Sequence, residues 1–142
     1  MSMYDLVDEV VAAVGKWDGV TVNPHRFGGQ EFNLEKVEIG HIHRNGMVDI
    51  PFTRKIRDIL VADGRAEHHH ILPDSGWISY YIRGEDDMEN AVWLYRLSLL
   101  QKQLGRARHD PQRAEQIEGE LRSLNLSSAL AEAFGLSPEK GM

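Results

Sequence analysis

Six of the seven histidines fall between positions 25 and 70: His25, His41, His43, His68, His69 and His70. A neutral imidazole ligates Zn, Cu, Fe or Ni, and near neutral pH it also serves as a general acid or base. His41 and His43 stand two apart, so on a strand they share one face. Asn45-Gly46 follows at once and is the strongest hairpin signal in the chain, because both positions of a type I′ turn need φ > 0. A two-residue turn there predicts the pairs Arg44–Met47, His43–Val48 and His41–Ile50. His41 and His43 then lie with Val37, Ile39, Val48, Ile50 and Phe52 on the apolar face, and Asp49 points the opposite way. Two imidazoles on a core face need partners, or each costs about 1–3 kcal/mol. A ligand pocket at the open edge would supply them, and so would backbone carbonyls in an ordinary core. A divalent metal needs a third ligand and usually a fourth. His68, His69 and His70 could bring these from another strand.

Three other stretches invite chemistry and have plainer explanations. Pro73-Asp74-Ser75-Gly76-Trp77 offers Ser75 as a nucleophile and Trp77 as a stacking platform. It lacks a Gly-x-Ser-x-Gly elbow, and Asp, Ser and Gly are ordinary turn residues. Arg26-Phe27-Gly28-Gly29 has glycines for a phosphate loop but no following Lys-Ser/Thr, so a turn or bulge explains it. Arg54, Lys55 and Arg57 could meet phosphate, although a solvated helix face accounts for them equally.

The elements that must position these residues follow from periodicity. Leu6, Val7, Val10, Val11 and Val14 predict a helix over 3–16. From 19 to 52 the period becomes two, which predicts an antiparallel meander of three or four strands. Thr53 is a plausible helix N-cap, and Gly64 suits the C′ position of the helix it opens. A strand is expected over 77–82, then a helix over 85–103 with an acidic start. Residues 105–111 read as a linker, followed by helices over 112–124 and 127–134. The expected fold is α+β: an antiparallel sheet of four to five strands with helices on one side, in the order α-βββ(β)-α-β-α. Residues 1–103 form the domain, and 104–142 are a helical extension rather than a domain of their own.

Composition limits the function. The chain has 142 residues, 42% hydrophobic and 27% charged, an ordinary globular mix. Zero cysteines exclude thiolate metal sites, disulfides and a cysteine nucleophile. A net charge of −6 argues against non-specific nucleic-acid binding. The acidic N-terminus is unlike a signal peptide, and no apolar run is long enough for a bilayer. We expect a cytoplasmic protein with no membrane partner.

Four blocks carry a family resemblance: HRFGGQEF (25–32), EIGHIHRNGMVDIPFTRKIRD (38–58), GRAEHHHILPDSGWISYYIR (64–83) and LYRLSLL (94–100). They resemble the small luciferase-family proteins of bacteria and archaea over about residues 5–103. The resemblance assigns no substrate and no catalytic residue. The element order is also similar to that of the YjbR-like double-wing DNA-binding proteins, in topology only, which implies nucleic-acid binding as an alternative. The blocks coincide with the candidate pocket. The expected ligand-binding residues are therefore His41, His43, His70, Trp77 and Arg26, with His41 and His43 the candidate metal ligands. The expected function is binding of a small molecule or partner in a His-lined pocket. The alternative is a metal- or His-dependent enzyme using a divalent ion.

The tail carries its own expectation. Ala114, Ile117, Leu121 and Leu124 form a thin apolar stripe, and an isolated helix of this length is marginal in water. The helix over 85–103 is apolar on more than one face and needs cover. The tail should supply it, either by folding back as a helical hairpin or by reaching a second subunit. We expect self-association as a homodimer through 104–142.

Overall fold

The computed structural model describes residues 1–25 and 28–136. Helix α1 (Met3–Gly15) opens with a capping box, in which the Ser2 hydroxyl accepts from the Asp5 amide and the Asp5 carboxylate accepts from the Ser2 amide. Strands β1 (Val20–Pro24), β2 (Gln30–Leu34), β3 (Val37–Ile42) and β4 (Met47–Pro51) follow as the expected meander. Helix α2 (Arg54–Ala62) leads to the two-residue strand β5 (Glu67–His68), then β6 (Trp77–Tyr81). A short 3₁₀ turn (Glu85–Asp87) precedes α3 (Met88–Arg106), α4 (Pro111–Arg122) and α5 (Ser128–Ala133). The fold is α+β. Among the described residues one open sheet has six antiparallel strands in the order β1-β2-β3-β4-β6-β5. β5 is the strand periodicity could not find, since two residues carry no period.

Helix ends follow their capping chemistry. The Thr53 hydroxyl accepts from the Ile56 amide at the start of α2. At its end Gly64 takes φ +76°, Arg65 N donates to Leu60 O and Gly64 N to Val61 O, which is a Schellman motif. The expected linker over 105–111 is shorter in fact, because α3 continues to Arg106. One exposed glycine costs a helix only about 1 kcal/mol. Ala107 beyond it is buried, and Arg106 is held by Leu34 O and Glu35.

Two local irregularities set which residues share a face. The β3–β4 connection is one residue longer than the expected type I′ turn. His43 N donates to Met47 O and Gly46 N to His43 O. Gly46 alone takes positive φ, +92°, while Asn45 does not. That is a three-residue loop ending in a bulge, and Asn45 Oδ1 caps it by accepting from Met47 N. The register becomes His41↔Asp49 and Ile42↔Val48, one step from the expected pairing. The second irregularity lies between β2 and β3, where Phe32 pairs with Gly40 but Asn33 pairs with Glu38. Ile39 is the extra residue of this bulge. Gly40 is required there by space: a Cβ would sit 2.9 Å from Tyr95 Cε1 and 3.0 Å from the Asp49 carbonyl oxygen.

One face of the sheet carries Phe32, Ile42, Val48, Ile50 and Ile78, all buried. Helices α1 and α3 pack on it, and the Tyr95 hydroxyl and Ser98 hydroxyl reach through to His41 O and Ile39 O. The tail folds back rather than trailing. Ile117, Leu121 and Leu130 are buried in the same core, Trp93 Nε1 donates to Leu124 O at 3.0 Å, and Ser127 Oγ donates to Asp63. The surplus apolar face of α3 is thus covered from within the chain. No helix among the described residues is long and apolar enough to cross a membrane.

Candidate metal centre

The opposite face of the sheet carries the histidines. This corrects their expected placement on the core side: the one-residue change of register turns His41 and His43 away from Val48 and Ile50. The same change corrects the placement of Asp49, which lies beside them instead of pointing away. Asp49 is 1% exposed, and its carboxylate is the hub of the cluster. His41 Nε2 lies 3.1 Å and His43 Nε2 2.9 Å from Asp49 Oδ2. His70 Nε2 lies 3.5 Å from the same oxygen. On the other oxygen, Ser79 Oγ donates to Oδ1 at 2.7 Å and His69 Nε2 stands 3.6 Å away.

Each side chain arrives by a different structural route. β3 supplies His41 and His43, β4 supplies Asp49, and β6 supplies Ser79 through the pair Asp49↔Ser79. The β2–β3 bulge turns Glu38 to the same side as His41, where Glu38 Oε2 accepts from His41 Nδ1 at 2.7 Å. His69 and His70 come from the β5–β6 connection and Trp77 from the first position of β6; Arg57 of α2 clamps that connection by donating to the carbonyls of Pro73 and Ser75. His25, after β1, stacks on His41 with ring centroids 3.9 Å apart. The Trp77 ring lies 5.5 Å from His41 and 5.9 Å from His69.

The electrostatics follow from this packing. Burial works against a charge on His41, but hydrogen bonds to Asp49 and Glu38 outweigh it and raise its pKa to about 9. Burial likewise works against the Asp49 charge. Hydrogen bonds from His41, Ser79 and His43 override it and hold the carboxyl well below its usual range. His25 and His69 are both pushed below the ordinary histidine value, chiefly by burial.

The donor set suits a transition metal. His41, His43 and Asp49 place one ligand atom each within 4.8 Å of one another, and so do Asp49, His69 and His70. Metal–ligand bonds of about 2.0–2.1 Å in a tetrahedral arrangement put neighbouring donors roughly 3.4 Å apart. The nitrogen–Oδ2 distances of 2.9, 3.1 and 3.5 Å bracket that value. Glu38 behind His41 holds the proton on Nδ1, so Nε2 would be the nitrogen offered to an ion once it gives up the proton it shares with Asp49.

Of the residues expected at a site, His41, His43, His70 and Trp77 are gathered here, and Arg26 lies outside the described residues. His68 is exposed on β5 and contacts Pro73 O instead. Ser75 is spent on its turn, donating to Leu72 O and accepting from Trp77 N. Arg57 serves the loop rather than a phosphate. Asp49, Glu38 and Ser79 were missed by sequence reasoning. The signal for Asp49 was available in Asn45-Gly46, because that dipeptide also fits a three-residue loop with a glycine bulge.

Residues 36–98 match the family model of the Luciferase domain. Over that span the chain is similar to the Luciferase domain. No curated protein and no solved structure matches it. The matched span runs from β3 to the middle of α3 and contains Glu38, His41, His43, Asp49, His69, His70, Trp77 and Ser79. His25 and the helical tail lie outside the matched span.

Proposed function

We propose that this chain is a divalent transition-metal protein that binds a small-molecule ligand at the metal. His41 Nε2, His43 Nε2 and Asp49 Oδ2 form the donor set, and His70 approaches the same Asp49 oxygen from the β5–β6 connection. The observation that carries this reading is the convergence of imidazole Nε2 atoms on one buried carboxylate oxygen, from β3 and from the β5–β6 connection. Two imidazoles and one carboxylate, with no sulfur, suit Fe(II), Zn(II) or Co(II), and three protein donors leave positions open for a ligand. Trp77 forms one wall beside the histidines. Ile71, 70% exposed, and Leu72 provide an apolar rim where a ligand's hydrocarbon part could rest.

The test is metal content. Tag-free protein is stripped with a chelator, resupplied anaerobically with Fe2+, Zn2+ or Co2+, desalted and analysed for metal. About one ion per chain is expected for at least one metal, falling below a tenth in Asp49→Ala. A wild type without stoichiometric metal, or an Asp49→Ala variant that binds as well, overturns the reading.

A further inference from the structure

Two rings of the β5–β6 connection, His69 and His70, approach Asp49 from neighbouring positions, and distance alone makes both of them candidate ligands. Their hydrogen bonds separate them. His69 Nδ1 receives two backbone donors, Ile71 N at 3.1 Å and Leu72 N at 3.0 Å. A ring nitrogen that accepts a hydrogen bond carries no proton, so Nδ1 is the bare nitrogen of this ring. In a neutral imidazole the proton must then sit on Nε2. The charged ring is excluded by the same bonds, because it would bring Nδ1–H against two N–H donors. A flipped ring would meet those donors with carbon. Nε2–H therefore faces Asp49 Oδ1, and a nitrogen that bears a proton has no lone pair for a metal.

We infer that His69 is a positioning residue of the metal centre and not a ligand. It caps the turn after it through Nδ1 and directs Nε2–H at Asp49 Oδ1. Ser79 Oγ holds the same oxygen at 2.7 Å. Between them they turn the carboxylate so that Oδ2 faces His41, His43 and His70. His69 is 9% exposed and is fixed further by the His70 ring, 4.4 Å away, and the Trp77 edge. The role explains why the triple histidine is divided: His68 leaves on the strand, His69 orients, and His70 presents Nε2 to Oδ2. The ligand part of this inference rests on the metal reading above; the tautomer does not.

Long-range 1H–15N spectra of the full 15N-labelled chain test it directly. His69 is expected to show a bare Nδ1 and a protonated Nε2, both in the metal-free protein and after Zn2+ addition. The Nε2 signals of His41 and His43 should move on Zn2+ addition. A His69 Nε2 without its proton, or one that shifts to a metal-bound position, overturns the assignment. The variants add a second readout. Gln places an amide N–H near the Nε2 position, so His69→Gln should keep Zn2+ affinity within about threefold and leave the Co2+ absorption spectrum unchanged. His69→Ala should lose about tenfold or more, as other outer-shell partners do. Equal affinity in His69→Ala and the wild type, or a changed Co2+ coordination spectrum in His69→Gln, also overturns it. A wild type that binds none of Fe2+, Zn2+ and Co2+ overturns the metal reading alone, since the tautomer is read without metal.

Discussion

The two faces of the central sheet are built from the same strands and bury their side chains by opposite means. Under the helices, Phe32, Ile42, Val48, Ile50 and Ile78 lose nearly all contact with water and are held by apolar area, at about 25 cal/mol per Å2. On the other face, Asp49 and His41 are almost as well buried, but what holds them is a closed set of hydrogen bonds. A buried apolar group needs only neighbours. A buried carboxylate needs particular donors, or it costs several kcal/mol. The first face is therefore tolerant of substitutions that keep volume, and the second is specified atom by atom. The difference teaches where stability and where chemistry reside in this sheet.

The comparison can be broken from the apolar side first. Phe32→Ala removes a fully buried ring packed edge-on against Tyr95. It should cost about 3–5 kcal/mol in denaturant unfolding, while any variant protein still folded keeps its metal stoichiometry. A parallel loss of metal would mean that the two faces are not separable. Next is Gly40→Ala, which reaches the second face through the backbone. The added methyl meets Tyr95 and Ile50 on the apolar face and crowds the carbonyl of Asp49, whose side chain is the hub of the other face. We expect about 1–3 kcal/mol of destabilisation together with weaker metal binding, measured by unfolding and by Zn2+ titration of the same sample.

The smallest effect is on pH dependence in the metal-free protein. The folded pKa of His41 lies above its unfolded value of 6.5, so its contribution is complete below pH 6.5 and is lost as the pH rises through about 9. Asp49, held below its usual range, contributes above that range and loses its contribution in acid. His25 and His69, both lowered, also weaken the acid side. Stability should peak near neutral pH and decline toward pH 9. His41→Gln should flatten the alkaline decline and also weaken the acid one, because His41 helps to hold the Asp49 carboxyl low. An unchanged alkaline slope in urea midpoints would remove His41 from this role.

How much of this the residues disclosed depended on the range of the interaction. The α1 valine stripe, Thr53, Gly64 and the meander were legible because each rests on contacts within a few positions. The register was not. A two-residue and a three-residue connection both fit Asn45-Gly46, and they differ by one step, which reverses every side chain beyond it. Asp49 was lost for that reason alone. Glu38 was hidden by the bulge at Ile39, since it lies three positions before His41 and simple alternation puts the two on opposite faces. The convergence of His70 and Trp77 on the same place was legible as a set of candidates, but their meeting depends on Arg57 holding a connection from a separate helix. The tail's need for cover could be read from its thin stripe; that α3 answers it within the chain depends on Trp93 and Leu124, 31 positions apart in sequence.

The position of Trp77 has an optical consequence. Three tryptophans emit from this chain, and their surroundings differ. Trp93 lies under the Arg65 guanidinium at 3.8 Å and Trp17 near Arg96 at 5.1 Å, whereas Trp77 stands against His41 and His69. An open-shell ion such as Co2+ or Cu2+ at Asp49 would quench Trp77 and leave the other two nearly as bright. The native fluorescence thus contains its own reporter and two internal references, and occupancy could be followed in real time without attaching a dye.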